Sequence, residues 1–223
     1  YFRVCAKPAG GPISVAANEA SQAPMMPGIL STATWVNFGP QGTPGGGWLQ
    51  TVNGSANGSD IGYAIARDDD ASDFYVAGIF RGTGGNDDIF VRRYSPSGGT
   101  LWTKYYNGPG NGHDLARRIW VGNGQVYVVG QESRADIGQD DNLLLIKYST
   151  AGVLQWTTTY NSPDNLADRG NGVDVDGVGI YVAGMETRSA GGVNVLAQRY
   201  GLDGSLQWTQ TYDSGGSEYA NQV

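Results

Sequence analysis

The chain has 223 residues, of which 36 are glycine and only 16% are charged. Its formal net charge of −7 disfavours nucleic-acid binding, because an acidic surface repels the phosphate backbone. No apolar run approaches the length needed to cross a membrane, and the single cysteine, Cys5, excludes both an intramolecular disulfide and a multi-cysteine metal site.

Residues 1–47 are rich in Pro, Gly and Ala and lack the markers that recur in the rest of the chain. Only Ile13–Ala17 and Leu30–Phe38 are plausible strands in this segment. We therefore predict an N-terminal arm that either wraps around its own domain or adds a strand to a neighbouring subunit. Within it, Cys5 is best interpreted as an incidental thiol, with an intermolecular disulfide as the alternative.

From residue 48 onwards the sequence repeats itself. The clearest marker is a tryptophan, followed in three of its four copies by tyrosine four residues later; the copies are Trp48, Trp102, Trp156 and Trp208, separated by 54, 54 and 52 residues. A Tyr-Val-small-Gly block and a basic residue followed by tyrosine recur in the same order. The glycines of the block are Gly78, Gly130 and Gly184, and the tyrosines are Tyr94, Tyr148 and Tyr200. Such recurrence predicts one structural unit repeated along the chain.

The second copy predicts the content of that unit. Its four predicted strands are Leu115–Val121, Gln125–Gly130, Asn142–Tyr148 and Val153–Tyr160. Glycine-containing turns separate the last two strands, as tight hairpins require. Residues 143–146 are apolar at every position, so we expect both faces of the sheet to be covered. Four antiparallel strands in a repeat of this length predict one blade of a β-propeller.

We therefore predict an all-β chain of β-propeller blades with four antiparallel strands each, about three full repeats plus a partial one, after a non-repeat N-terminal arm. The predicted domains are the arm at 1–47 and the propeller repeats at 48–223. The repeats are 48–101, 102–155, 156–207 and the partial 208–223. A closed propeller needs roughly four to eight blades, so this chain is expected to have uncovered faces and unpaired edges, which favour association.

Two strings carry a family resemblance: Tyr-Val-Ala-Gly at 75–78, and Asp-Asp-Ile-Phe-Val-Arg-Arg-Tyr-Ser-Pro-Ser-Gly-Gly-Thr-Leu-Trp at 87–102. Over residues 48–223 the chain resembles the bacterial and archaeal secreted β-propeller repeat (SBBP) family. The resemblance implies a blade fold and a secreted or surface-attached protein. It implies no activity.

Residues that could carry chemistry are few. His113 is the only histidine, and no nucleophile motif accompanies it and Asp114, as a hydrolytic triad would require. An aspartate at one repeat position, in the copies Asp60, Asp114 and Asp168, is predicted to accept hydrogen bonds in a turn or between blades.

For the remaining carboxylates and amides we also predict structural roles. The acidic residues at 68–73 lack the spacing of a recognised calcium loop, so a solvated surface is favoured and a calcium site is the alternative. Asp88, Asn142 and Asn194 share one repeat position, which predicts a side chain bonding the backbone in a turn. We expect no metal and no cofactor.

The expected function is that of a non-enzymatic extracellular or cell-surface module. Its partners would be further copies of itself or other surface proteins, bound through blade edges and the arm, with a filament as one outcome. A propeller that binds glycan or protein through loops at one blade end is the alternative. A polysaccharide-active enzyme is the least favoured class, because such sites need a cluster of unique acid–base groups.

Overall fold

The computed structural model describes residues 2–6, 14–16, 48–54, 58–82 and 84–221. In this part of the chain, regular structure consists of β-strands and one short 3-10 helix at Ala135–Ile137. The strands are β1 (Phe2–Ala6), β2 (Ser14–Ala16), β3 (Trp48–Val52), β4 (Ile61–Arg67), β5 (Phe74–Arg81), β6 (Asp87–Tyr94), β7 (Thr100–Tyr106), β8 (Leu115–Gly122), β9 (Gln125–Ser133), β10 (Asp141–Ser149), β11 (Leu154–Tyr160), β12 (Asp168–Val175), β13 (Ile180–Arg188), β14 (Gly192–Tyr200) and β15 (Leu206–Tyr212). A helix with the length and apolarity to span a membrane does not occur among these residues.

Twelve of these strands form three four-stranded antiparallel sheets. The first sheet is β4–β7, the second β8–β11 and the third β12–β15, with strands paired in chain order. The prediction of an all-β fold with four antiparallel strands per repeat is therefore confirmed, and the strand bounds of the second repeat agree within three residues. The described residues do not show a closed ring of sheets, so the architecture established is the coarser one of three four-stranded sheets.

The tryptophan strand is the last strand of each sheet. Trp102, Trp156 and Trp208 lie in β7, β11 and β15, and Trp48 lies in β3. A sequence repeat that starts at a tryptophan therefore begins in the last strand of one sheet and continues into the next. For the same reason, Trp208 belongs to the strand that completes the third sheet.

Apolar side chains on both faces of the sheets build three cores. The first core joins the first and second sheets, and includes Tyr75, Val91 and Leu144. The second joins the second and third sheets, and includes Leu145 and Leu196. Residues 143–146 are all 0% exposed, which confirms that both faces of this strand are covered. A third core packs Val52 of β3 against Phe74, Val76, Phe90 and Tyr94 of the first sheet.

The N-terminal residues add a small sheet of three antiparallel strands in the order β2-β1-β3, called here the N-terminal sheet. In it, β1 pairs with β3 from Phe2 opposite Val52 to Ala6 opposite Trp48. Strand β2 falls inside the predicted strand Ile13–Ala17, whereas β1 was not predicted. The predicted strand Leu30–Phe38 lies outside the described residues.

Candidate functional site

The first three repeated tryptophans, Trp48, Trp102 and Trp156, each pack against a turn of the sheet that follows. The indole nitrogen of Trp48 donates a hydrogen bond to the Pro96 carbonyl at 3.1 Å. That of Trp102 donates to the Thr150 carbonyl at 2.9 Å. Both acceptors lie two residues after the repeat tyrosine, in the turn between the third and fourth strands. The tryptophan therefore joins one sheet to the next, where a large apolar ring contributes most.

The turn glycine four residues after the repeat tyrosine explains how the ring fits. Gly98, Gly152 and Gly204 have φ of +86°, +79° and +87°, a conformation that residues with a Cβ rarely adopt. A Cβ at these three positions would also crowd the rings of Trp48, Trp102 and Trp156 respectively. Tryptophan and glycine thus recur together because the ring of one sheet occupies the space beside the bare glycine of the next.

The basic residue before the repeat tyrosine makes a second bond across the same junctions. One guanidinium nitrogen of Arg93 donates to the Thr150 carbonyl at 2.6 Å, and the Lys147 ammonium donates to the Leu202 carbonyl at 3.0 Å. Arg199, the equivalent residue in the third sheet, instead bonds the Val178 carbonyl of its own sheet at 3.0 Å. Among the described residues no sheet follows the third one, so no carbonyl of a following sheet is available to Arg199.

The face of the third sheet that carries Trp208 is accordingly open, and we call it the tryptophan face. Register places Tyr181, Arg199 and Trp208 side by side on it. Trp208 is 40% exposed and Tyr212 is 62% exposed. The matching tyrosines Tyr75 and Tyr127 are 0% and 2% exposed in the first two sheets, whereas Tyr181 is half-buried.

The tryptophan face is formed by alternate residues of the paired strands β13, β14 and β15. They are Tyr181, Val195, Ala197, Arg199, Trp208, Gln210 and Tyr212, all half-buried or exposed, together with the buried Ala183 and Met185. Contiguous exposed apolar surface of this kind marks sites of protein association.

A buried Tyr–Glu pair joins the sheets near the other end of the tryptophan strand. The Tyr160 hydroxyl donates to Glu186 at 2.9 Å, and the Tyr106 hydroxyl donates to Glu132 at 2.5 Å. The glutamates are 1% exposed or less, so they need such a donor. Sequence reasoning missed these glutamates, although both follow the block glycine by two residues.

The N-terminal junction replaces this polar pair with an apolar one. Phe80 stands where Glu132 and Glu186 stand in the other sheets, and Val52 stands where the tyrosines stand. Both lie in one apolar core. The missing tyrosine in the first repeat is therefore explained, because a phenyl ring requires no hydroxyl donor.

The recurring aspartate links consecutive sheets, as predicted. Asp114 is 0% exposed and accepts hydrogen bonds from the backbone N–H of Gly108 at 2.5 Å and of Ser133 at 3.0 Å. Gly108 follows the last strand of the first sheet, and Ser133 ends β9 in the second. Asp168 accepts from Ser162 at 2.5 Å in the same way. Asp60 holds the connection that follows β3, through the N–H of Gly54 at 2.7 Å.

Burial, together with the nearby Glu132 and Glu186, raises the pKa of Asp114 and Asp168 to about 6 even though their backbone hydrogen bonds oppose the shift. The folded chain therefore keeps protons on these carboxyls between pH 3.8 and about 6, where the unfolded chain has released them. Their contribution to the free energy of unfolding is greatest below pH 3.8 and is lost as the pH rises through about 6.

We expect this loss to be on the order of 3 kcal/mol per carboxyl. Urea unfolding followed from pH 4 to pH 7, comparing the wild type with the double variant Asp114→Asn and Asp168→Asn, would measure it. The variant should lose less stability than the wild type as the pH rises. A stability difference between the two proteins that stays constant over this range would contradict the assignment.

The other predicted structural positions have distinct environments. Asp88, Asn142 and Asn194 lie in strands beside Phe80, Glu132 and Glu186 of the neighbouring strand, not in turns. The Asn142 amide donates to the Gln139 side chain at 2.8 Å. The prediction that these three side chains lie in a turn is therefore wrong, because all three residues lie in strands. Burial, and the neighbouring Asp87, raise the pKa of the Asp88 carboxyl.

The acidic residues at 68–73 serve a hairpin. The Asp68 carboxylate accepts a hydrogen bond from the backbone N–H of Asp70 at 3.0 Å, and Asp73 pairs with Arg93 at 2.5 Å. His113 is an exposed side chain whose Nδ1 lies 3.3 Å from the Asp87 carboxylate. No group of three or more His, Cys, Asp or Glu side chains that could hold a metal occurs among the described residues.

Comparisons with known proteins assign no family. No protein-family model matches the chain, and no curated protein matches it. The chain is thus characterised by its own repeats, as an all-β protein with three stacked four-stranded sheets.

Proposed function

We propose that this chain is a non-enzymatic structural module of an extracellular or cell-surface assembly, built from β-propeller repeats and associating through uncovered sheet surfaces and its N-terminal arm. The observation that carries the proposal is the open tryptophan face. A position that joins sheets at Trp48 and Trp102 bears an exposed ring at Trp208.

The polar groups of the repeats support the same proposal, because they are engaged in joining sheets. The buried aspartates bind backbone N–H groups, and the buried glutamates bind tyrosine hydroxyls. Groups used in this way in successive copies serve the architecture. The resemblance to secreted propeller repeats supports an extracellular location.

Light scattering on the whole chain over a range of concentrations, combined with electron microscopy, tests this function. We expect the mean mass to rise with concentration and elongated assemblies to appear, because a head-to-tail contact that does not close produces an open polymer. A chain that remains monomeric at every concentration contradicts the proposal.

A further inference from the structure

A group of polar side chains between the second and third sheets departs from the repeat. This group, called here the arginine cluster, consists of Arg117 in β8, Gln131 in β9, Asp141 in β10 and Arg169 in β12. The Arg117 guanidinium donates to the Gln131 side-chain oxygen from Nε at 3.1 Å and from Nη2 at 2.8 Å. The Gln131 amide donates to one oxygen of the Asp141 carboxylate, and Nη2 of Arg169 donates to the same oxygen at 3.4 Å. The cluster is therefore one chain of hydrogen bonds across the junction of two sheets.

The architecture of the sheets does not require these polar groups. The residues equivalent to Gln131 and Arg169 in the other sheets are all apolar; they are Ile79, Met185, Ile61 and Leu115. Gln131 is nevertheless buried, and Arg169 is half-buried. Replacing apolar contacts with a partly buried ionic network seldom stabilises a protein. Such a departure from the local rule indicates a functional site.

A β-bulge directs Arg117 out of the regular strand. The register shifts between Ala116 and Arg118, so Arg117 is the extra residue. Bulges redirect a side chain, and they are common beside active sites. The equivalent bulges of the first and third sheets carry Tyr63, which is 37% exposed, and Asn171. The three bulges thus present a ring, a cation and an amide at a position where the repeat imposes no residue type.

The two guanidiniums of the cluster have N–H groups that the protein leaves unbonded. Among the described residues, Nη1 of Arg117 has no hydrogen-bond partner, and Nε of Arg169 is buried without one. Burial and the charge of Arg169 lower the pKa of Arg117, so the two cations lie near each other. Asp141 supplies one carboxylate to two guanidiniums, and the neighbouring Asp140 is exposed to water, which screens its charge. The remaining positive charge fits one monovalent anion.

We propose that the arginine cluster binds the carboxylate of a uronic acid unit in an acidic saccharide, with the Tyr63 ring packed against the sugar. A guanidinium presents parallel N–H donors that match the two oxygens of a carboxylate. Tyr63 lies close enough to Arg117 to interact with it electrostatically, and its exposed ring offers an apolar surface to the C–H face of a pyranose. This binding does not require association between copies, so it goes beyond the proposed function.

Calorimetric titration of the whole chain with tetragalacturonic acid at neutral pH provides the test. We expect Arg117→Met to lower the affinity at least about ten-fold, because hydrogen bonds between two charged groups are lost. Arg118→Met is the matched control. It removes the same charge from the same strand, and the exposed Arg118 guanidinium bonds only the Arg117 carbonyl within the described part of the chain. Its affinity should equal that of the wild type.

Gln131→Met separates a binding role from a structural one. Methionine already stands at this position in the third sheet, as Met185. The variant removes the oxygen that holds the Arg117 guanidinium, so we expect weaker binding of tetragalacturonic acid. Its free energy of unfolding in urea should not fall, since an apolar side chain replaces part of a buried polar network. A loss of affinity together with wild-type stability identifies Gln131 as a positioning residue.

Two further measurements separate a saccharide from a simple anion. The methyl ester of the same oligomer keeps the sugar rings and lacks the charges, so it should not bind. Tyr63→Ala should weaken binding of the acid about three-fold, because the aromatic contact with the sugar is lost. Inorganic phosphate should displace the oligomer less readily than free galacturonic acid does.

The contrary outcomes are equally specific. A wild type that does not bind tetragalacturonic acid, or that binds it no better than Arg117→Met does, overturns the inference. Equal binding of the methyl ester overturns the role of the carboxylate. Displacement by phosphate as readily as by galacturonic acid, with Tyr63→Ala unaffected, would show an unselective anion site and overturn the assignment to a saccharide. None of these titrations measures association, so the proposed function is tested separately by light scattering.

Discussion

Replacing Trp102 with alanine is expected to lower the free energy of unfolding by about 3 kcal/mol, whereas the same change at Trp208 should cost less than about 1 kcal/mol in the monomer. Trp102 packs beside Gly152, contacts Tyr75 edge-on at a ring distance of 5.7 Å, and bonds the Thr150 carbonyl. Its removal leaves a cavity between two sheets. Trp208 is 40% exposed, so its removal from an isolated chain leaves no such cavity.

Urea unfolding of both variants at a protein concentration low enough to keep the chain monomeric measures the difference. The same pair should behave in the opposite way in an association assay, where Trp208→Ala weakens assembly and the destabilised Trp102→Ala does so only through unfolding. Equal losses of stability at the two positions would contradict the assignment of an open face to the third sheet.

Most of the sheet architecture could be predicted from the sequence, because its causes are local and recur. Turn glycines, β-branched strands and the tryptophan spacing each depend on a few neighbouring residues. Residues 143–146 predicted a doubly covered strand because an apolar residue at every position requires burial on both faces. Repetition multiplied these signals.

Features that depend on contacts between distant residues were harder to predict. Strand β1 contains Arg3 and Cys5 and pairs with a segment more than 40 residues away, so no local pattern predicts it. The Tyr–Glu pairs join residues of different sheets, and their replacement by Val52 and Phe80 is recognisable only once those positions are known to be adjacent. Asp88, Asn142 and Asn194 suggested a turn because their side chains often bond local backbone, whereas here they face a neighbouring strand.

The tryptophan face combines both kinds of information. The sequence predicted an incomplete set of repeats with uncovered faces, and the structure places the repeated tryptophans between sheets. The tryptophan strand is the last strand of each sheet, and its tryptophan packs on the sheet that follows. Among the described residues the exposed tryptophan is therefore the one in the last sheet. The open surface is therefore on the third sheet, at Trp208, and the N-terminal sheet covers the opposite side of the stack through Trp48.

Replacing Gly130 with alanine is expected to destabilise the chain by at least about 3 kcal/mol. A β-bulge between Ala116 and Arg118 brings β8 close to β9 at this point, and a Cβ on Gly130 would collide with the Leu115 carbonyl oxygen. The obstacle is backbone, which is held by strand pairing and cannot rotate away. On its other side Gly130 pairs with Leu144 of β10, which is 0% exposed, so β9 cannot shift in that direction.

Gly177→Ala is the matched control, since no atom lies within 4 Å of a Cβ at that position, and its effect should stay within about 0.5 kcal/mol. Urea unfolding of the two variants measures the contrast. Gly78 and Gly184 face the carbonyls of Ile61 and Arg169 beside equivalent bulges, so alanine there should cost as much as at Gly130. Wild-type stability in Gly130→Ala would mean that the bulge relaxes freely. A loss at all three positions would show that the glycine of the Tyr-Val-small-Gly block is required by the close approach of the first two strands in every repeat.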